Sequence, residues 1–358
     1  MAGRAGAVLL TTLLLGTACA SGEKAGTTDP SATPETLSGP QTYRVNMDGP
    51  SSPEDNFVFA AYFPGTIKAR PGDTIVFDNL SSHDIHTVTF GVKADRSNAP
   101  KPETPAVQAN PAVFGPCFAD AGADPAWQAC PVPPGPAGQG GPPAFSGTGY
   151  WNSGVVLPRL LAGDEAPSEA EVTLADGIAA GAYPIVCLLH PFMNGELQVV
   201  VGDAERLSPS AVTEAAGKEF EDARAGSESV QKPAVEVPGA TAVLAGWGDE
   251  VVAADVFAPA TVKVKAGDTV TWTSESPYMP HTVSFEAPFS APSAPDALRP
   301  AGTRSGAAYE EGTAHSGIIG PPPYPTKTFS LRFRKPGTYP YVCILHPRMT
   351  GTVEVAAE

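Results

Sequence analysis

The chain has 358 residues, enough for two domains with cores of their own, and its 40 Pro and 37 Gly favour short strands joined by turns over a helical architecture. Lys plus Arg number 22 against 38 Asp plus Glu, a formal charge of -16. That balance argues against nucleic acid or anionic lipid as a partner, and it suits either plain solubility or a basic protein partner.

Arg4, the apolar run Ala7 to Leu15 and the small residues up to Cys19 read as an export signal over 1–20, too short to span a bilayer. The mature protein is therefore expected outside the cytoplasm, at the cell surface or in the periplasm. Gly16-Thr17-Ala18-Cys19 resembles a bacterial lipobox, which makes Cys19 the expected lipidation site and the lipid the only membrane contact; cleavage after Ala20 to a soluble secreted form is the alternative. Residues 21–41, rich in Ser, Thr, Pro and Gly, suit a disordered tether.

Tyr43 to Met47 alternates like a first strand, and Phe57 to Phe63 follows across a turn. An internal repeat starts next. Pro64 to Phe77 matches Pro259 to Trp272 at a constant offset of 195 (259 − 64), with Gly72-Asp73 and Gly267-Asp268 as the turns between alternating runs. The register holds as far as His86 to Phe90 and His281 to Phe285. Further on, Gly181 to Cys187 meets Gly337 to Cys343 at an offset of 156 (337 − 181), so the first copy carries 39 additional residues (195 − 156). They fall in a Pro/Gly-rich insertion over 91–149, expected to be an excursion that leaves the flanking strands undisturbed. Asn152 to Val156 then echoes His315 to Ile319.

The insertion contains Cys117 and Cys130, which in an oxidising compartment are expected as a disulfide; free or metal-binding thiols are the alternative. Closing that loop of 14 residues (117–130) is worth about 3 kcal/mol on a chain-entropy view. Between the copies, Ser208-Pro209 with Val212, Ala216, Phe220 and Ala223 predicts a capped amphipathic helix ending near Gly226. The expected organisation is a first domain over 42–202, a helical linker over 203–239 and a second domain over 240–358.

The chemistry lies in two loops, Cys187 to Gly195 and Cys343 to Gly351, each expected between two strands. Each places a thiolate, an imidazole and a thioether three residues apart, as Cys187, His190 and Met193 and again as Cys343, His346 and Met349. These soft and borderline donors suit copper, and the repeat register makes His86 and His281 the missing ligands. A lone Cys-x-x-His could be a buried thiol beside a core histidine or part of a zinc site, but thioether is a poor zinc donor and the whole set recurs. His83 and His315 are expected as surface side chains, with a secondary metal or proton role as the alternative.

Met279-Pro280-His281-Thr282-Val283 and the Gly-Thr-Tyr-x-Tyr-x-Cys-x-x-His-Pro-x-Met-x-Gly run from Gly337 resemble the cupredoxins, in particular amicyanin and plastocyanin. The resemblance covers most of both repeats. It implies an all-β chain of two tandem Greek-key β-sandwiches, each holding one type 1 blue copper ion. The implied ligands are His86, Cys187, His190 and Met193 in the first domain, and His281, Cys343, His346 and Met349 in the second. Thr87 and Thr282 stand where the family usually has Asn after the first histidine, which affects a hydrogen bond near the thiolate. Leu189 and Leu345 replace the Pro that amicyanin has before its loop histidine.

The resemblance implies an electron carrier whose loop histidines, here His190 and His346, reach the surface and pass electrons to a docked redox protein, a cytochrome or a copper enzyme. Phe192 against Arg348 at one loop position predicts that the two sites meet a partner with different electrostatics. Histidine count argues against an enzyme: with four of six histidines assigned, His83 and His315 cannot build an oxidase cluster or a nitrite-reducing site. Copper storage or delivery is the other alternative, and the five methionines give no Met-rich exchange surface.

Overall fold

The computed structural model describes residues 37–50, 56–101, 110–119, 142–159, 168–202, 206–227, 230, 241–286, 298–322, 324–346 and 348–357. The export signal with Cys19, most of the tether, and Cys130 lie outside the described residues. Leu37–Glu358 forms one compact unit.

In the first half the strands are β1 (Thr42–Met47), β2 (Phe57–Phe59), β3 (Tyr62–Phe63), β4 (Thr66–Ala69), β5 (Thr74–Asn79) and β6 (Thr89–Phe90). After the short helix α1 (Pro111–Phe114) come β7 (Cys117–Ala119), β8 (Tyr150–Asn152), β9 (Glu169–Thr173), β10 (Gly181–Val186) and β11 (Asn194–Val199). Helix α2 (Pro209–Gly226) leads to the second half. There the strands are β12 (Ala242–Gly248), β13 (Val252–Ala258), β14 (Thr261–Lys265), β15 (Thr269–Glu275), β16 (Ser284–Phe285) and β17 (Ala301–Gly302). They continue with β18 (Ala308–Tyr309), β19 (Ala314–His315), β20 (Thr328–Phe333), β21 (Gly337–Val342) and β22 (Thr350–Ala356).

Each half is a two-sheet sandwich with the same pairing. The first has sheets β3-β1-β5-β9 and β4-β11-β10-β6-β8-β7, the second β18-β20-β15-β12-β13-β2 and β14-β22-β21-β16-β19-β17. The parallel pairs β1/β5 and β4/β11 return as β12/β15 and β14/β22, so strands that pair are far apart in sequence, as a Greek-key path requires. Period-two alternation produces the cores: β4 buries Ile67 and Ala69, and β14 buries Val262 and Val264, while the residues between face water. Gly72 and Gly267 sit at φ +83° and +101° in the turns that follow, where the Asp73 and Asp268 carboxylates accept the amides of Arg70 and Lys265.

The halves are not separate beads. Strand β2, in the sequence range of the first domain, pairs antiparallel with β13 of the second, as Phe57 with Ala254, Val58 with Ala253 and Phe59 with Val252. At the offset of 195, Phe57 is equivalent to Val252 and Phe59 to Ala254, so the two copies of one strand pair with each other about a local twofold. Helix α2 covers this seam. Ser208 caps it by accepting the Ala211 amide, Pro209 opens it, and Val212, Ala216 and Phe220 bury one stripe at four-residue spacing. The Phe220 ring meets Phe59 and Phe63 at centroid distances of 5.2 and 5.6 Å, in a cluster with Leu244, Trp247 and Val252. Burying a ring of that size contributes about 1.5–3 kcal/mol, enough to make the helix a clamp on the seam.

Candidate metal centres

Both cysteine loops close the same way. The Cys187 amide donates to the Met193 carbonyl at 3.0 Å and the Met193 amide to the His190 carbonyl at 3.1 Å. The same pair of bonds, at 2.9 Å each, joins Cys343 to Met349 and Met349 to His346. Cys187, His190, Met193, Cys343, His346 and Met349 are all buried. The other histidine arrives from a distant segment: His86 exchanges backbone bonds with Val156, and His281 with Ile319, just before β6 and β16. The echo of Asn152 to Val156 in His315 to Ile319 is thus a structural equivalence.

The structure brings His86, Cys187 and His190 together, and His281, Cys343 and His346, with one donor atom of each within 4.8 Å of the others. Sγ of Cys187 lies 3.6 Å from Nδ1 of His190, and Sγ of Cys343 lies 3.5 Å from Nδ1 of His346. Donors about 2.0–2.3 Å from one ion in a trigonal array would stand about 3.5–3.8 Å apart. The buried Nδ1 of His86 has no hydrogen-bond partner, as expected of an atom reserved for a metal. The residues fit a copper ion, which two imidazoles and a thiolate would hold, and the buried Met193 or Met349 on the same loop would offer a thioether.

The threonines that replace the family's asparagine make the tie themselves. The Thr87 amide points at Sγ of Cys187 (3.4 Å) while its hydroxyl accepts the Leu188 amide (2.8 Å). Thr282 does the same with Cys343 (3.3 Å) and Ile344 (2.9 Å). Histidine strand and cysteine loop are thereby locked together, and the sulfur receives a backbone N–H.

The two sites differ in charge. Nε2 of His86 faces Asp48 and Asp84 at 3.9 Å each, and Nε2 of His190 faces Asp84 at 3.4 Å. Burial works against a charged His86, but Asp48, Asp84 and the Cys187 sulfur raise it to about 10. His190 is likewise raised against its burial, by Asp84 and Cys187. Burial pushes the Cys187 thiol up, yet His190 and His86 carry it well below its ordinary value. The second site has one carboxylate, Asp255, 3.9 Å from Nε2 of both His281 and His346. There burial wins: His281 drops to about 3, His346 to about 4, and the Cys343 thiol rises. Without metal, the neighbouring charges favour the ionised forms of the donors in the first site, whereas burial favours the neutral forms in the second.

Several expectations need correction. His190 and His346 do not reach the surface; they are 3% and 4% exposed, because the other half covers them. His83 is not a surface residue either, since it lies in the seam with Nε2 donating to Asp255 at 3.0 Å. His315 is buried against Ser284, with Nδ1 2.7 Å from the hydroxyl. Nor is the insertion a detached excursion: β7 extends the sheet by pairing with β8, and Arg96 reaches back to the carbonyls of Cys187 and Met193 and to Oδ1 of Asn194. Cys117 is disulfide-bonded, and its expected partner Cys130 lies outside the described residues.

Sequence reasoning missed Arg96, Asp48, Asp255 and Gly246. The last sits at φ +74° in a bulge of β12, where any Cβ would collide with the His281 imidazole. The offset of 195 hides the match between Asp48 and Gly246, which only strand pairing reveals: Val45 pairs with Phe77 as Val243 pairs with Trp272, so Asp48 and Gly246 (246 − 48 = 198) take matching places beside the first histidine of each half.

Two sandwiches that each gather a buried Cys and two buried His, with a buried Met on the same loop, define a copper-binding protein of the cupredoxin class. Residues 250–356 match the copper-binding plastocyanin/azurin family. The chain is 32% identical to amicyanin-alpha of Methylorubrum extorquens over 111 residues, 31% of this chain and 73% of that protein. It is 31% identical to the plastocyanin of Scenedesmus fuscus over 102 residues, 28% of this chain and 86% of that protein. Among solved structures, a methionine-to-alanine mutant of amicyanin in the Cu(I) state aligns at 27% identity and a TM-score of 0.22, over 34% of this chain and 87% of that one. The chain belongs to the cupredoxins.

Proposed function

We propose that the chain is an extracytoplasmic electron carrier with one type 1 copper ion in each half, passing single electrons by outer-sphere transfer. The observation that carries this reading is the duplication of a buried His, Cys, His set with the same loop hydrogen bonds and the same threonine tie. Such a set holds copper without a strong preference for either oxidation state, so little rearrangement accompanies electron transfer. Enclosure of both sites favours redox cycling over metal exchange, which counts against storage or delivery. The histidines left over, His83 and His315, are engaged by Asp255 and Ser284, which supports a carrier over an enzyme.

The residues from Arg4 to Cys19 support export and a lipid anchor at Cys19. The partner is a redox protein, a cytochrome or a copper enzyme. With the loop histidines covered, its contact with the first site is the exposed Phe192, whose ring lies 6.3 Å from Tyr278, itself 5.7 Å from His190.

The test is to add copper to the purified soluble form, count bound metal and record the intense blue thiolate charge-transfer band. Cys187→Ser and Cys343→Ser are each expected to remove half of the band and half of the metal. A full band after either substitution would refute the assignment of that half.

A further inference from the structure

His83 and Tyr278 occupy the same place in the repeat, 195 residues apart (278 − 83). Each follows a serine, Ser81 or Ser276, whose hydroxyl accepts the amide of Asp84 or Met279 at 2.9 Å, so the two turns are built alike. Each also puts its ring on the loop histidine of the opposite half: His83 on His346 at a centroid distance of 5.9 Å, Tyr278 on His190 at 5.7 Å. The exchange is reciprocal because equivalent strands β2 and β13 pair across the seam.

Polar contacts continue the series. Asp84, next to His83 in the chain, faces Nε2 of His190 at 3.4 Å, and His83 donates to Asp255, which faces Nε2 of His346 at 3.9 Å. A seam that only had to hold two halves together would be better filled with apolar groups. Instead it buries Asp48, Asp84 and Asp255, each with a carboxylate oxygen that has no hydrogen-bond partner, and retaining such groups is expensive. All three are buried and face ligand histidines, and Asp255 of the second half also takes the hydrogen bond from His83 of the first.

We propose that this seam is an internal electron relay, in which His83 and Tyr278 act as positioning residues that couple the loop histidines His346 and His190 so that one chain passes an electron between its two sites. The proposal rests on the reading of both sites as type 1 copper. Copper(I) in one site gives up one electron and becomes copper(II), while copper(II) in the other becomes copper(I). An external one-electron reductant starts the process, and no bond or proton changes hands.

The experiment uses the full chain loaded with copper, in a Met193→Gln background whose altered axial ligand gives the first site its own spectrum. A substoichiometric pulse of a radiolytic one-electron reductant is followed by watching the two blue bands redistribute. The expected result is a first-order phase whose rate does not depend on protein concentration, and loss of that phase in His83→Ala. His83→Gln, which can still donate to Asp255, separates the ring from the hydrogen bond and is expected to lose the phase as well.

A second readout needs no electron transfer: in copper-loaded Cys187→Ser, which keeps only the second site, His83→Ala is expected to change the copper EPR spectrum although His83 belongs to the first half. Redistribution only at a rate proportional to protein concentration, with both bands intact, would overturn the relay and leave the copper reading standing. A first-order phase and an EPR spectrum both unmoved by His83→Ala would overturn the role of His83. A chain that binds fewer than two blue coppers would sink both readings.

Discussion

Arg96→Met tests whether the insertion serves the first metal loop. The guanidinium donates to the Cys187 carbonyl, to the Met193 carbonyl at 2.9 Å and to Oδ1 of Asn194 at 2.9 Å. Hydrogen bonds from a charged donor contribute about 1.5–3 kcal/mol each, but here they do not add. The Met193 carbonyl keeps the Cys187 amide, and the exposed Asn194 side chain can turn to water. The loss that matters is the bond to the Cys187 carbonyl, about 2–3 kcal/mol, and methionine retains much of the apolar stem. If opening of this loop limits metal loss, copper should leave the first site for a chelator roughly 30- to 150-fold faster. The assay follows the blue band in Cys343→Ser, which isolates the first site, and in Cys187→Ser, which isolates the second as a control. Unchanged release from the first site, or equal acceleration at both, would refute the clamp.

Gly246→Ala is expected to lose copper at the second site and spare the first, because the added Cβ meets the His281 imidazole and the φ of +74° costs a non-glycine residue about 1–2 kcal/mol; metal counting on the variant in the Cys187→Ser and Cys343→Ser backgrounds checks it, and a normally loaded second site would refute it. In metal-free protein, His281 and His346 are depressed to about 3 and about 4, so their neutral forms stabilise the fold above the ordinary histidine value near 6.5, and that stability is lost as pH falls toward 4, roughly 3 kcal/mol for each. His86 and His190 are raised, so their contribution is complete below about 6.5 and does not fade on further acidification, while the lowered Cys187 thiol gives up stability as pH falls, so the first half loses less than the second. Hydrogen exchange between pH 6.5 and 4 should therefore show β20 to β22 losing protection before β5 and β9, and simultaneous loss in both halves would contradict the charge assignment.

The residues that the structure gathers into the two His, Cys, His clusters were legible because their signals are local or periodic. Cys187 and Cys343 announce themselves by spacing to His and Met within one loop, and the constant register of the repeat carries His86 and His281 to them without any structure. Helix α2 was legible from its cap and its four-residue stripe. The seam was not. Nothing in the alternation of Phe57 to Phe59 says that this strand completes the sheet of the other half, and a lone His83 beside Asp84 looks like an ordinary polar turn until Asp255 and His346 are placed against it. Arg96 was hidden for the same reason: 91 residues (187 − 96) separate it from the Cys187 carbonyl, and no period or spacing connects the two.

A duplicated domain begins with two equal sites, and the differences that matter lie where the copies touch. The ligand loops remain nearly superimposable in their hydrogen bonds, whereas matching positions in the seam have diverged: Asp48 against Gly246, His83 against Tyr278, Asp84 against Met279, Ala60 against Asp255. Three of these four changes place a carboxylate in one half and none in the other, and all three carboxylates face ligand histidines from within the seam. Charge close to a copper site biases its oxidation state, so divergence there sets the two sites apart while their coordination chemistry stays the same. Surface divergence such as Phe192 against Arg348 would tune an encounter with another protein, but it leaves the pair of sites equivalent. That the costly polar changes concentrate in the buried seam is what a chain would need if its two coppers are to play different parts in one transfer.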